Sequence, residues 1–192
     1  MEIRSNIIGI VSYKVYDKEG NIVQEETGTN KIVNLGRKNI LNLLANGNNV
    51  GDSLFVSKIA FGTGKELTTD DDISITDPYI KPLVAPKIIG NNELIYSWSL
   101  AQDENNGVII NEIGLESQNG DLFARKVTNI PIDKDTDKTV EGSWRIIFLQ
   151  PTVYKDTVWG FAPGTKPAFV EEASNRFREV LAELRKKYNI DK

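Results

Sequence analysis

The sequence contains no cysteine and no histidine. Without thiols there is neither a disulfide nor a cysteine nucleophile, and without imidazole there is no Ser-His-Asp relay. The usual ligand sets of structural zinc fail for the same reason. Metal or acid–base chemistry would therefore rest on carboxylates alone. Positive charge is also short, with 23 Lys and Arg against 27 Asp and Glu, a net charge of −4. That balance lacks the broad basic footprint of a nucleic-acid or anionic-membrane binder. No run of about 18 apolar residues appears, so no bilayer-spanning segment is expected. The start, "MEIRSNIIGIVSYKVYD", alternates apolar and polar residues and lacks the basic opening and unbroken apolar stretch of a signal peptide, so a cytoplasmic product is expected.

What is present is mostly strand and turn. In "GIVSYKVYD" the period is two, with Val11, Tyr13 and Val15 on one face, which reads as a half-buried strand. "KEGN" is a turn and "IVQEETGT" its returning strand. "NLGRKNILNLLANG" breaks the pattern: Asn34 can cap a helix, Leu35, Ile40, Leu41 and Leu44 share a stripe, and Gly47 can end it. Two apolar runs around "GNN" predict a second hairpin. Asn119-Gly120 predicts a third, because both residues tolerate positive φ. "KTVEGSWRIIFLQ" closes the series. About eight strands with closely spaced turns predict a mainly β fold, an antiparallel β-sandwich with one short packed helix, over residues 1–150. The expected core is Val11, Tyr13, Ile59, Phe61, Trp98, Ile113, Leu115, Trp144, Ile146 and Phe148.

Past Gln150 the grammar changes. "PTVYKDTVWGFAPGTKP" carries three prolines, which suits an extended connector over 151–166, with Trp159 and Phe161 as aromatic anchors. Residues 167–192 read as an amphipathic helical arm. Its stripe is Phe169, Ala173, Phe177, Val180, Leu181 and Leu184, with acids at the start and bases near the end as the macrodipole prefers. An isolated helix of this length is marginal in water, so the stripe demands cover. Trp159, Phe161, Phe169, Phe177, Val180, Leu181 and Leu184 are the candidate partner-binding residues.

Several short motifs invite a chemical reading. In "SKIAFGTGKELTTDDDI", Gly62 and Gly64 suggest a phosphate loop, but a dinucleotide fingerprint needs glycine at Leu67. A Walker loop needs glycine at Ile59 and Ser or Thr at Glu66. Asp133, Asp135 and Asp137 open like a calcium loop, yet Lys138 stands where glycine is required and Trp144 where glutamate is. Asp70, Asp71 and Asp72 fail in the same way, with Ile75 and Lys81 in those places. Each is therefore expected to be a turn or a solvated loop tip. Glu112 and Glu116 project to one face of one strand, as a glycosidase pair might, but a pairing of Arg125 with Glu112 between strands would be structural. Trp98, Trp144 and Trp159 can stack on sugars or fill a core, and Trp98 and Trp144 lie inside apolar strand patterns. No catalytic, cofactor or metal residue is assigned, and no cofactor is expected.

The order of these signatures carries more than any one of them. The helix "NLGRKNILNLLANG" is followed by "SKIAFGTG", a loop bearing Thr and Asp, an Asn-Glu-Ile-Gly-Leu strand, "GDLFAR" and "WRIIF". Over roughly Ile32 to Phe148 this resembles the small β-rich virion proteins of tailed bacteriophages, those of tail fibres, collars and baseplates. The resemblance implies a non-enzymatic structural component of the virion, made in the bacterial host cytoplasm. Its partners would be other virion proteins and copies of itself, with a host-surface glycan left open. Capsid decoration or a head fibre is the alternative station on the particle. From other classes, a carbohydrate-binding module and a carboxylate glycoside hydrolase stand beside it, and exposure of the tryptophan rings would separate the first of these from assembly.

Overall fold

The computed structural model describes residues 7–46 and 54–149. The chain divides after Gln150, and this fold lies within Met1–Gln150. It is mainly β. The elements run β1 (Ile7–Tyr16), β2 (Ile22–Ile32), α1 (Asn34–Asn46), β3 (Val56–Gly62), β4 (Tyr79–Pro82), β5 (Lys87–Ile89), β6 (Glu93–Leu100), β7 (Val108–Ser117), β8 (Leu122–Lys134) and β9 (Thr139–Phe148). All pairings are antiparallel, and they join the strands into one sheet in the order β4-β3-β7-β8-β2-β1-β9-β6-β5. A sandwich predicts two sheets; the pairing gives one, curled into a half-barrel.

Chain length forces the curl. The two edge strands, β4 and β5, are joined by only Leu83–Pro86. Even fully extended, that link reaches no further than about 18 Å. Laid flat, nine strands would hold their outermost members roughly 38 Å apart. The sheet must therefore bend until its ends approach. Inside the bend the two halves share one core: Val11, Tyr13, Trp98 and Trp144 from one half meet Ile59, Phe61, Ile113 and Leu115 from the other. Phe61 and Trp98 touch edge to face, their ring centroids 5.3 Å apart.

Nine of the ten expected core residues are buried; Phe148, at the end of β9, is 39 % exposed instead. The three expected hairpins form, with Gly20, Gly90 and Gly120 all at positive φ in their turns. The helix forms where expected but packs only partly as expected. Gly36 and Asn39 face the sheet, whereas Leu41 and Leu44 are 65 % and 79 % exposed. A Cβ on Gly36 would lie 2.2 Å from the Phe123 carbonyl oxygen, so the helix meets backbone there, while Leu35 and Ile40 of the expected stripe pack against the two cores. Asn34 does not cap through its side chain; its Nδ2 donates to Asp71 and its Oδ1 accepts from Arg37. Gly47, the expected stop, lies outside the described residues, as do the connector and the arm.

Candidate functional site

The loop from Thr63 to Pro78 lies as a strap over the outer face of β3, β7 and β8. Ile75 fills the space above Gly114 and joins Val33, Ala60 and Leu122 in a second small core. Gly62 and Gly64 are needed here for close approach: a Cβ on Gly62 would lie 2.3 Å from Ile75, and one on Gly64 2.4 Å from a Glu112 oxygen. Neither has positive φ among the described residues, so the expected sharp turn is not their reason.

Glu112 lies beneath the strap, fully buried. Its Oε1 accepts from the backbone N–H of Gly64 at 3.0 Å and of Thr76 at 2.7 Å, fastening both ends of the strap. Its Oε2 accepts from Arg125 Nε at 2.5 Å, and Arg125 Nη1 donates to Asp72 at 2.9 Å. Three of its roughly four acceptor positions are taken by the fold, and the side chain is shut away from solvent. Glu116, on the same face, is also buried; burial raises its pKa, partly offset by Lys58. The two acids thus do not face one open cleft.

Asp70 and Asp71 are exposed, as a charged loop tip predicts, and Asp72 is partly buried, but all three are also paired. Asp70 pairs with Arg37 and Lys31, and its carbonyl accepts from Asn34 N–H at the start of α1. Asp71 takes Asn34, and Asp72 takes Arg125 together with Thr69. Burial works against the charge on Asp72, but Thr69 and Arg125 outweigh it and hold the carboxyl below its usual range. Asp133 and Asp135 lie in the β8–β9 hairpin, where Lys138 returns to Asp133 and Thr136 to Asp135. Among the described residues no group of three or more acidic side chains is arranged to hold a metal ion.

Two polar clusters went unread in the sequence. Where β2 and β8 pair only through Lys31 and Ile32, Glu26 bridges the parting strands. It accepts from Tyr13 Oη at 2.8 Å and from Asn129 N–H at 2.9 Å, and pairs with Lys126 at 2.9 Å. The second is Lys134, wholly buried, with Nζ donating to Gln102 O, Asn106 Oδ1 and Asp135 O. Burial lowers its pKa. Strand parity held a signal here, since Lys134 shares a face with Ile132.

Trp98 and Trp144 are 6 % and 0 % exposed, so neither offers a ring face to a sugar. Trp159 and the other candidate partner-binding residues, Phe161, Phe169, Phe177, Val180, Leu181 and Leu184, lie outside the described residues. Among the described residues no helix is long and apolar enough to cross a membrane.

Among the described residues several large apolar side chains stay exposed. Besides Leu41 and Leu44, exposed side chains include Leu67 and Ile73 on the strap and Ile80, Val84 and Ile88 along the two sheet edges. No family model, no curated protein and no solved structure matches this chain.

Proposed function

We propose that this chain is a structural component of a tailed-bacteriophage virion, of tail, collar or baseplate, that acts by protein–protein assembly. The observation that carries the reading is the division of side chains in the β-domain. Glu112, Arg125 and Glu26 are engaged in holding strands and strap together, while large apolar residues such as Leu44, Val84 and Ile88 face outward. Exposed apolar side chains that gather into a contiguous patch mark contact with other macromolecules. The order of short motifs between Ile32 and Phe148 supports the phage assignment. Capsid decoration and a head fibre are the second station, with the same assembly chemistry. The carbohydrate-module reading loses its two best ring platforms, because Trp98 and Trp144 are core residues.

In this reading the arm beyond Gln150 locks neighbours together, since a linked second contact raises effective concentration. The deciding experiment is to locate the protein on purified particles by electron microscopy with a bound antibody and to count its copies. A symmetric set of copies on tail, neck or capsid is expected. Absence from particles overturns the assignment.

A further inference from the structure

The half-barrel stops short of closing, and the gap has the dimensions of a strand. Among the described residues β4 pairs only with β3, and Tyr96–Leu100 of β6 pair only with β9, because β5 reaches no further along β6 than Ile95. These two free edges face each other across a depression of about 510 Å³ whose lining includes Ile59, Lys81, Val84, Trp98 and Glu141. Lys81 Nζ crosses it to donate to the Ser99 carbonyl at 3.0 Å. An ammonium therefore stands where the N–H of an adjacent strand would stand. An extended lysine side chain with its hydrogen bond covers about 9 Å, close to the two strand spacings that one missing strand would fill. Ile59 and Trp98 form an apolar floor that is itself closed, 0 % and 6 % exposed, and the apolar side chain that opens onto the gap is Val84, 72 % exposed.

We propose that this gap receives an extended segment of a second copy of the chain, Thr152–Phe161, as an added strand. The proposal rests on the assembly reading above and names the surface that receives the connector. The segment "TVYKDTVWGF" has the composition of a strand, rich in β-branched and aromatic residues, and lies between Pro151 and Pro163. Its odd positions place Val153, Thr157, Trp159 and Phe161 on one side, suited to the apolar floor, and Lys155 on that side matches Glu141 at the rim. Its even positions, Tyr154, Asp156 and Val158, then face outward beside Ser97. Main-chain hydrogen bonds to the free edges would supply affinity, and the alternate side chains specificity. β4 and β6 run in opposite directions, so the guest is antiparallel to one and parallel to the other. The longer free edge, on β6, favours antiparallel pairing there.

The chain has no cysteine, so single cysteines report contact between copies without intramolecular ambiguity. Full-length Ser97→Cys protein is mixed with full-length Asp156→Cys or Val158→Cys protein under mild oxidation, with Thr29→Cys, on the far side of the sheet, replacing Ser97→Cys as control. The heterodisulfide is expected to form at least about tenfold faster than the control, and Trp159→Asp in the donor chain to abolish that advantage. If copies associate in sedimentation but crosslink no faster than the control, the gap is not the receiving site, and the assembly reading survives. If the full chain stays monomeric at every concentration and no crosslink forms, this proposal falls, while the assembly reading is decided by the search for the protein on particles.

Discussion

In β3, β7 and the first half of β8 both faces are covered, the inner by the shared core and the outer by the strap and α1, whereas among the described residues nothing covers the outer face of β2-β1-β9-β6-β5. The consequence is written into the strands. β1 alternates, with Val11, Tyr13 and Val15 buried and Ser12 and Lys14 at the surface. From Ile110 to Ser117, β7 is buried without interruption. The bare half thus carries its polar residues outward at no cost. The covered half must bury Glu112, Glu116 and Arg125, and a buried charge is tolerable only when paired and hydrogen-bonded. Substitutions should therefore be far more damaging under the strap than on the bare face, and four measurements test that contrast.

The largest loss is expected at Glu112. Glu112→Ala leaves Arg125 without its buried partner and removes the acceptor shared by Gly64 and Thr76. A destabilisation of about 3–5 kcal/mol is expected in urea titration. A loss below about 1 kcal/mol would mean that the strap is fastened by Ile75 and its apolar neighbours alone.

Next is Gly36→Ala. The new Cβ would meet the Phe123 carbonyl carbon at 2.9 Å as well as its oxygen, and backbone on both sides cannot yield as a flexible side chain would. The helix is expected to lift from β8 at a cost of roughly 1–3 kcal/mol. Faster amide exchange confined to α1 and the strap would confirm it. Uniform change across the sheet would not.

The third concerns pH. Asp72 has a folded-state pKa below its unfolded value, so the folded state holds fewer protons over that interval and stability falls as pH falls through it. The contribution is complete above the ordinary carboxylate range and is lost as pH drops toward the lowered folded value. Asp72→Asn should flatten that part of the acid limb, while Ser143→Ala on the bare face should leave the limb unchanged. Identical acid limbs for wild type and Asp72→Asn would remove the Arg125 pair from the latch.

The same contrast explains what was legible in the sequence. Period-two alternation needs one wet face, so β1 and β9 and most of the core could be read directly, as could the hairpins marked by "KEGN", "GNN" and Asn119-Gly120. β4 was missed because a four-residue edge that follows Pro78 and ends in Pro82 carries too little pattern. The single curled sheet was not legible because strand order depends on the short link Leu83–Pro86, whose meaning appears only once both edges are known. The pairing of Asp70 and Asp72 was not legible because their partners, Lys31, Arg37 and Arg125, are distant in sequence.

The smallest expected effect is at Leu44, and it separates pattern from packing most directly. By periodicity Leu44 belongs to the helix's apolar stripe, and burial of such a leucine would make Leu44→Ser cost about 2–5 kcal/mol, as large-to-small core changes do. In the structure the residue is 79 % exposed and α1 docks through Leu35, Gly36 and Ile40 and through Asn39, whose Nδ2 donates to Asp121 at 3.1 Å. Leu44→Ser should therefore shift stability by no more than about 0.5 kcal/mol, either way, in the isolated protein. Because an exposed leucine on a helix is a contact residue in the assembly reading, the same substitution should lower incorporation into particles while the purified chain stays folded. A large loss of stability in the purified chain would show that Leu44 also helps to seat the helix.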